Sequence, residues 1–209
     1  MSSHVSYGAA MAANGGRHQL GPESGRLTLR TYRSGLAAQA GHDLTIDVTR
    51  WRADIDPPAR NFAADASAVA NAGNTAGALD VTVDLTSLAI REGRGGLMPL
   101  TDRDRRDILG QARKQLDTGR YPEASYSATT FTPDASGGGA IDGTLTLHGQ
   151  NRPLRLQVTR TADGQYRASG TVVQTQFGTK PYSGMFGALK LRDDVEVEIT
   201  VTLPADGPS

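Results

Sequence analysis

Four histidines, His4, His18, His42 and His148, are the side chains through which catalysis would most readily pass, because imidazole changes charge near neutral pH without help. A metal site would need several convergent ligands with supporting partners. The sequence holds no HxH, HExxH or DxHxD spacing, so the histidines predict structural or exposed roles and no metal. His42 precedes Asp43 in "GHDL" (41–44), but strand neighbours point to opposite faces and would not share a substrate unless a turn turned them together. No Gly-x-Ser-x-Gly, no paired-carboxylate motif and no Gly-Lys-Ser/Thr phosphate loop occurs. The chain has no cysteine, which removes a thiolate nucleophile, a thiolate metal site and a disulfide framework together. No cofactor and no enzyme activity are therefore expected. The enzymatic alternative uses His42 or His148 as general base on a hydrophobic substrate, and requires an imidazole within hydrogen-bond reach of the proton removed.

Two glycine-rich stretches invite a different chemistry. "REGRGGLMPL" (91–100) lies between a strand and a helix, where a phosphate-cradling loop would sit, but it lacks the Lys-Ser/Thr and carries Pro99 before the helix cap. It reads as a plain loop whose Leu97, Met98 and Leu100 could plug one end of a barrel. "SGGGAIDG" (136–143) reads as a loop for the same reason. "KPYSGMFGALKL" (180–191) sets Tyr182, Met185, Phe186 and Leu189 among glycines in an expected connection, where large apolar groups are uncommon unless they cover something. They either cap the core or line the mouth of a ligand cavity.

Such loops need a scaffold, and apolar residues at every second position describe one. The alternation runs through "RLTLRTYR" (26–33), "HDLTIDVTRWRADID" (42–56), "ALDVTVDL" (78–85), "ASYSATTF" (124–131), "QYRASGTVVQTQF" (165–177) and "DVEVEITVTL" (194–203). "IDGTLTLHGQNRPLRLQVTR" (141–160) alternates in both halves around a Gly-Gln-Asn break and predicts a hairpin. One helix is predicted in "TDRDRRDILGQARKQLDTGRYP" (101–122), with Ile108, Leu109, Ala112 and Leu116 at helical spacing, Thr101 as N-cap, and Gly119 and Pro122 as stops. The fold class is all-β with one helix: an antiparallel sheet of eight strands that closes into a barrel or packs as two layers. Its lining or mouth would come from Leu44, Ile46, Val81, Val83, Leu97, Met98, Leu145, Leu147, Leu156, Phe177, Tyr182, Met185 and Phe186. Whether such an interior is hollow or filled is not decided by alternation, since a leucine gains the same roughly 1.5 to 3 kcal/mol against protein or lipid.

Residues 1–24 are rich in Ser, Gly, Ala and Asn and predict a disordered tail, 25–204 a single domain, and 205–209 a C-terminal tail. Segment 57–76 has no period and predicts a long mobile loop. With 22 basic against 22 acidic side chains, nothing calls for nucleic acid as a partner. No apolar run approaches a membrane span or a signal-peptide core, so a soluble, cytoplasmic protein without an integral membrane segment is expected. Assembly stays open between monomer and homodimer.

Four stretches in this order resemble the YceI-like family: "DLTSL" (84–88), "DRRDI…LDTGRYPEASYSATTF" (104–131), "DGTLTLHGQNRPLRLQV" (142–158) and "QTQFGTKPYSGMFGALKLRDDVEVEI" (174–199). The likeness covers about residues 26 to 204, and His42 aligns loosely with a histidine that precedes an apolar strand in the family. It implies a lipocalin-like antiparallel barrel with a packed helix and, as ligand, a polyisoprenoid or similar amphiphilic lipid held in the interior. Many members are exported, whereas this sequence shows no signal segment. The expected function is thus non-enzymatic binding and carriage of an isoprenoid or other amphipathic lipid. The alternative is a packed barrel that acts as a protein-interaction or stress-response module without ligand.

Overall fold

The computed structural model describes residues 18–56, 75–161 and 165–203. The strands are β1 (His18–Leu20), β2 (Gly25–Ser34), β3 (Asp43–Val48), β4 (Trp51–Asp56), β5 (Thr75–Asp84), β6 (Leu88–Arg94), β7 (Glu123–Pro133), β8 (Gly139–Leu147), β9 (Gln150–Arg160), β10 (Gln165–Val173), β11 (Ser183–Gly184) and β12 (Leu189–Thr202). The α-helix, α1, spans Asp102–Gln115. All strands pair antiparallel within a single sheet, in the order β1-β4-β5-β7-β8-β9-β10-β12-β2-β3-β6, with β11 on β12.

The sheet curls into a ring because two of its strands are bent rather than broken. β3 runs into β4 through Thr49 and Arg50, and β5 into β6 through a 3-10 turn at Leu85–Ser87. Pairing continues through both corners: Val48 faces Leu88, Thr49 N–H donates to Ser87 O at 3.2 Å, Asp84 N–H donates to Arg50 O at 3.1 Å, and Trp51 faces Val83. β2 flanks β3 while β7 flanks β5, so the path closes on itself. Counted once each, the bent strands β3/β4 and β5/β6 join β2, β7, β8, β9, β10 and β12 to make the expected eight, with β1 and β11 as short additions. The corner is held by side chains. Asp84 accepts from Arg50 Nε at 2.8 Å and from Thr86 N–H at 2.8 Å, while Arg50 N–H donates to the buried Ser87 Oγ at 3.0 Å. The Thr86 hydroxyl, above all, holds the Asp84 carboxyl below its usual range.

α1 begins where the sequence expects it. Thr101 Oγ1 accepts from Asp104 N–H at 3.2 Å and Thr101 N–H donates to Asp104 Oδ2 at 2.9 Å, a reciprocal capping box. Arg105 Nη1 donates to Ile90 O at 3.0 Å and Arg113 Nη2 to Thr86 O at 3.4 Å. The helix therefore lies along the edge of β6 that no strand among the described residues covers, with Ile108, Leu109 and the C-cap Leu116 against the core. Among the described residues no helix is long and apolar enough to cross a membrane.

The chain joins the fold earlier than its composition suggests. Composition places residues 18–24 in the tail, yet His18 pairs with Ile55 and Leu20 with Ala53, and Leu20 is only 2% exposed. A lone leucine between polar neighbours carries no period of its own; the partner strand makes it a strand residue. β5 likewise starts at Thr75, inside the segment expected as loop. The rest of the expected N-terminal tail with His4, loop residues 57–74 and the expected C-terminal tail lie outside the described residues.

Candidate functional site: a hollow lumen with one polar end

Alternation points one side chain in two toward the barrel axis, and these do not meet in the middle. A cavity of about 730 Å³ runs between Leu29, Ile46, Val83, Leu145, Leu156 and Val197 on the strands, Ile108 and Ala112 on α1, and Leu116 at its C-cap. A second space of about 140 Å³ opens toward the other end, between Leu79, Ile141, Val158 and Leu203. The two share Val81, Leu156, Ala168 and Ile199 as common wall. Small residues widen both spaces: Ala124 borders the larger, Ala128 the smaller, and Ala168 both. Gly143 leaves room for the Tyr126 ring, whose oxygen would lie 2.5 Å from a Cβ at that position. Inward Leu145, Leu147, Leu154 and Leu156 are only partly buried and border the cavity.

The wall carries little polarity, and its one phenol is bonded. Tyr126 donates to Leu154 O at 3.1 Å and lies 3.3 Å from Ile141 O, and burial, with the nearby Asp142 charge second, pushes its phenol up to about 12. It stays neutral at physiological pH and has no proton to trade there. Thr31 Oγ1, by contrast, borders the cavity, is buried, and has no hydrogen-bond partner among the described residues. Charge gathers at one end, where Arg33, His42, Asp104 and Asp107 edge the cavity together with Gln111, Gln115 and Tyr182.

That end is built by tight glycine contacts. His42 Nε2 sits 2.9 Å from Met98 O, while a Cβ on Gly96 (φ +76°) would fall 2.3 Å from the same nitrogen. Arg33 Nη1 donates to Gly41 O at 2.7 Å and Arg33 N–H to Asp43 Oδ1 at 2.9 Å, and a Cβ on Gly95 would fall 1.9 Å from the guanidinium. The glycines of "RGG" thus let the Gly95–Leu100 loop settle on two long side chains instead of cradling phosphate. His42 turns to this loop and Asp43 to Arg33, as expected of strand neighbours. His148 lies across the barrel wall from a different loop. It occupies the left-handed region (φ 51°) with Gly149 (φ 70°) in the two-residue β8–β9 turn, meets the Tyr121 ring at a tilt of 59° with centroids 4.8 Å apart, and its Nδ1 lies 3.1 Å from Phe177 O. Both imidazoles face backbone carbonyls.

Ten of the thirteen residues singled out by sequence edge the main cavity: Leu44, Ile46, Val81, Val83, Leu97, Met98, Leu145, Leu147, Leu156 and Tyr182. Three do not. Phe177 is 3% exposed and packs in the 3-10 turn Gln174–Phe177, outside the lining. Met185 and Phe186 point to solvent, because their backbone turns through the left-handed region (φ 49° and 54°) and throws both side chains out. The cavity face of α1, where Asp104, Asp107, Ile108, Gln111, Ala112 and Gln115 recur at helical spacing, is a part of the site that the strand alternation does not announce. Val195, Val197 and Ile199 line the cavity as well, and their strict alternation carries the signal.

Comparison with known proteins places these features among relatives. The profile of the YceI-like domain matches residues 28–203. A UPF0312 protein of Shewanella oneidensis is 30% identical over 91 residues, covering 41% of this chain and 47% of that protein. The chain thus spans about half the length of the curated relatives it matches. BcnA of Burkholderia cenocepacia shares the fold, with a TM-score of 0.58 at 15% identity over 85% of this chain and 94% of its own. A polyisoprenoid binding domain from Saccharophagus degradans, implicated in plant cell wall breakdown, aligns with a TM-score of 0.48 at 13% identity over 88% and 95% of the two chains.

Proposed function

The chain belongs to the YceI-like family, and from that premise we propose that its lumen holds the hydrocarbon part of an isoprenoid or other amphipathic lipid, as a carrier without catalytic activity. The observation that carries the reading is the cavity of about 730 Å³, walled by aliphatic side chains and edged by charged and amide groups at one end only. Its size falls in the ordinary range of ligand sites, ~300 to 1,000 Å³. Its polarity matches a molecule with one polar and one greasy end. The tail would occupy the aliphatic interior. The head would lie near Arg33, His42, Gln111, Gln115 and Tyr182, all of which border the polar end.

Each methylene removed from water is worth about 0.8 kcal/mol, so roughly ten buried methylenes offer ~8 kcal/mol before ordering costs. Those costs start at about 4 kcal/mol for lost freedom, which leaves the complex reversible, as a carrier requires. A packed barrel acting only through its surface leaves the void without a purpose, because a lumen that holds nothing is more stable filled. Native mass spectrometry and organic extraction of protein purified without detergent test the proposal. A co-purifying lipid, or stoichiometric uptake of added prenyl quinone, is expected. An empty protein that ignores the quinone refutes it.

A further inference from the structure

The largest exposed hydrophobic side chains among the described residues are Leu36, Leu97, Met98, Met185 and Phe186, with Phe186 at 113% of its reference exposure. They come from three separate loops, and the sheet register brings all three to the end of the barrel where the polar edge of the cavity lies. Ser34 faces Lys190, Asp43 faces Arg94, Ala37 N–H donates to Ala188 O at 2.9 Å, and His42 ties the Leu97–Met98 loop down. Leu97 and Met98 also edge the cavity, so the apolar rim is continuous with the lumen.

Phe186 stabilises nothing where it stands. It buries no area, and both it and Met185 occupy the left-handed region, which is costly for residues with a β-carbon. A strained turn that holds a phenyl ring out in water serves contact with something outside the molecule. The charges of the rim narrow the choice. On the segment that carries Phe186, Arg192 is matched to Asp194 while the exposed Lys180 and Lys190 make no ion pair among the described residues; across the mouth Arg33 and Arg94 are matched to Asp43 and Glu92, and Asp102 and Asp104 of α1 make no ion pair either. Separate apolar projections with two uncommitted lysines beside them suit the interface of an anionic bilayer, where side chains enter the acyl boundary and ammonium groups stay among headgroups. A second copy would instead ask for a self-complementary patch.

We propose that this rim docks the polar end of the barrel on anionic lipid bilayers, so that a lipid passes between membrane and lumen without crossing water. The inference rests on the carrier reading, and the following experiment separates the two. The full chain is floated with vesicles of phosphatidylcholine alone and with an equal mixture of phosphatidylcholine and phosphatidylglycerol. In parallel, uptake of prenyl quinone delivered from ethanol is read by the emission of Trp51, the one tryptophan. The wild type floats with the mixed vesicles. Phe186→Gly removes the ring and relieves the left-handed turn, so it melts no lower, takes up quinone from ethanol, and loses about 10-fold in vesicle partitioning. Lys180→Glu with Lys190→Glu abolishes the preference for the mixed vesicles. Docking is overturned if the wild type binds neither vesicle, if Phe186→Gly floats as well as the wild type, or if the rim proves to hold a dimer that Phe186→Gly dissociates. Quinone uptake without flotation sinks docking alone, whereas flotation without uptake sinks the carrier reading and with it the passage of lipid into the lumen.

Discussion

Ala168→Phe tests whether the lumen, and not the outer surface, is the binding site. Ala168 lies on β10 opposite Ile199 and Val158 and belongs to the wall shared by both cavities. A phenyl ring placed there enters open space of about 730 Å³ on one side and about 140 Å³ on the other, so it meets little overpacking. Burial of the ring is worth roughly 1.5 to 3 kcal/mol, equal to about two to four methylenes at ~0.8 kcal/mol each. Folding stability should therefore hold or rise slightly. A tail denied that length of lumen loses the same amount, which is a weakening of roughly 10- to 150-fold in Kd. The assay is titration of prenyl quinone against the emission of Trp51, which is 5% exposed and faces Val83 on the cavity wall. A folded Ala168→Phe protein that binds the quinone as tightly as the wild type refutes the placement of the tail between β9, β10 and β12.

Gly96→Ala should cost about 1 to 3 kcal/mol in urea denaturation, because φ +76° and the His42 ring both resist a β-carbon there. Tyr126→Phe should cost about 1 kcal/mol of stability, and an ultraviolet difference titration should lose one tyrosine, the one whose phenol burial pushes up to about 12. Asp84 has a depressed carboxyl pKa in the folded chain, so it favours folding fully above the ordinary carboxylate range and less as pH falls through its folded value. Denaturation midpoints between about pH 5 and pH 2 should accordingly fall less steeply for Asp84→Asn than for the wild type, and equal slopes would remove Asp84 from the acid response.

Much of the architecture is legible in the residue order, for reasons that are local. Alternation in "HDLTIDV" and "DVEVEITV" depends on which face is wet, the two-residue His148-Gly149 turn on backbone sterics, and the Thr101 cap on a hydrogen bond three residues long. What escaped is what depends on distant partners. Leu20 is a strand residue because β4 is beside it. The corners at Thr49–Arg50 and Leu85–Ser87 are set by Asp84 and Arg50 meeting across the sheet. The void itself is a property of ring size together with Ala124, Ala168 and Gly143, since inward leucines look the same on a wall as in a solid core. Met185 and Phe186 were candidates for the mouth, and they do lie at that end, but the sign of a backbone angle sends them outward.

A crystal structure of the full chain loaded with a prenyl quinone addresses the carrier claim most directly. The account predicts a single hydrocarbon tail inside the ring, passing Val81, Leu156, Ala168 and Ile199, with its polar end toward Arg33 and His42. A lumen without the tail, and the quinone seated on the outer face of the sheet, would contradict it.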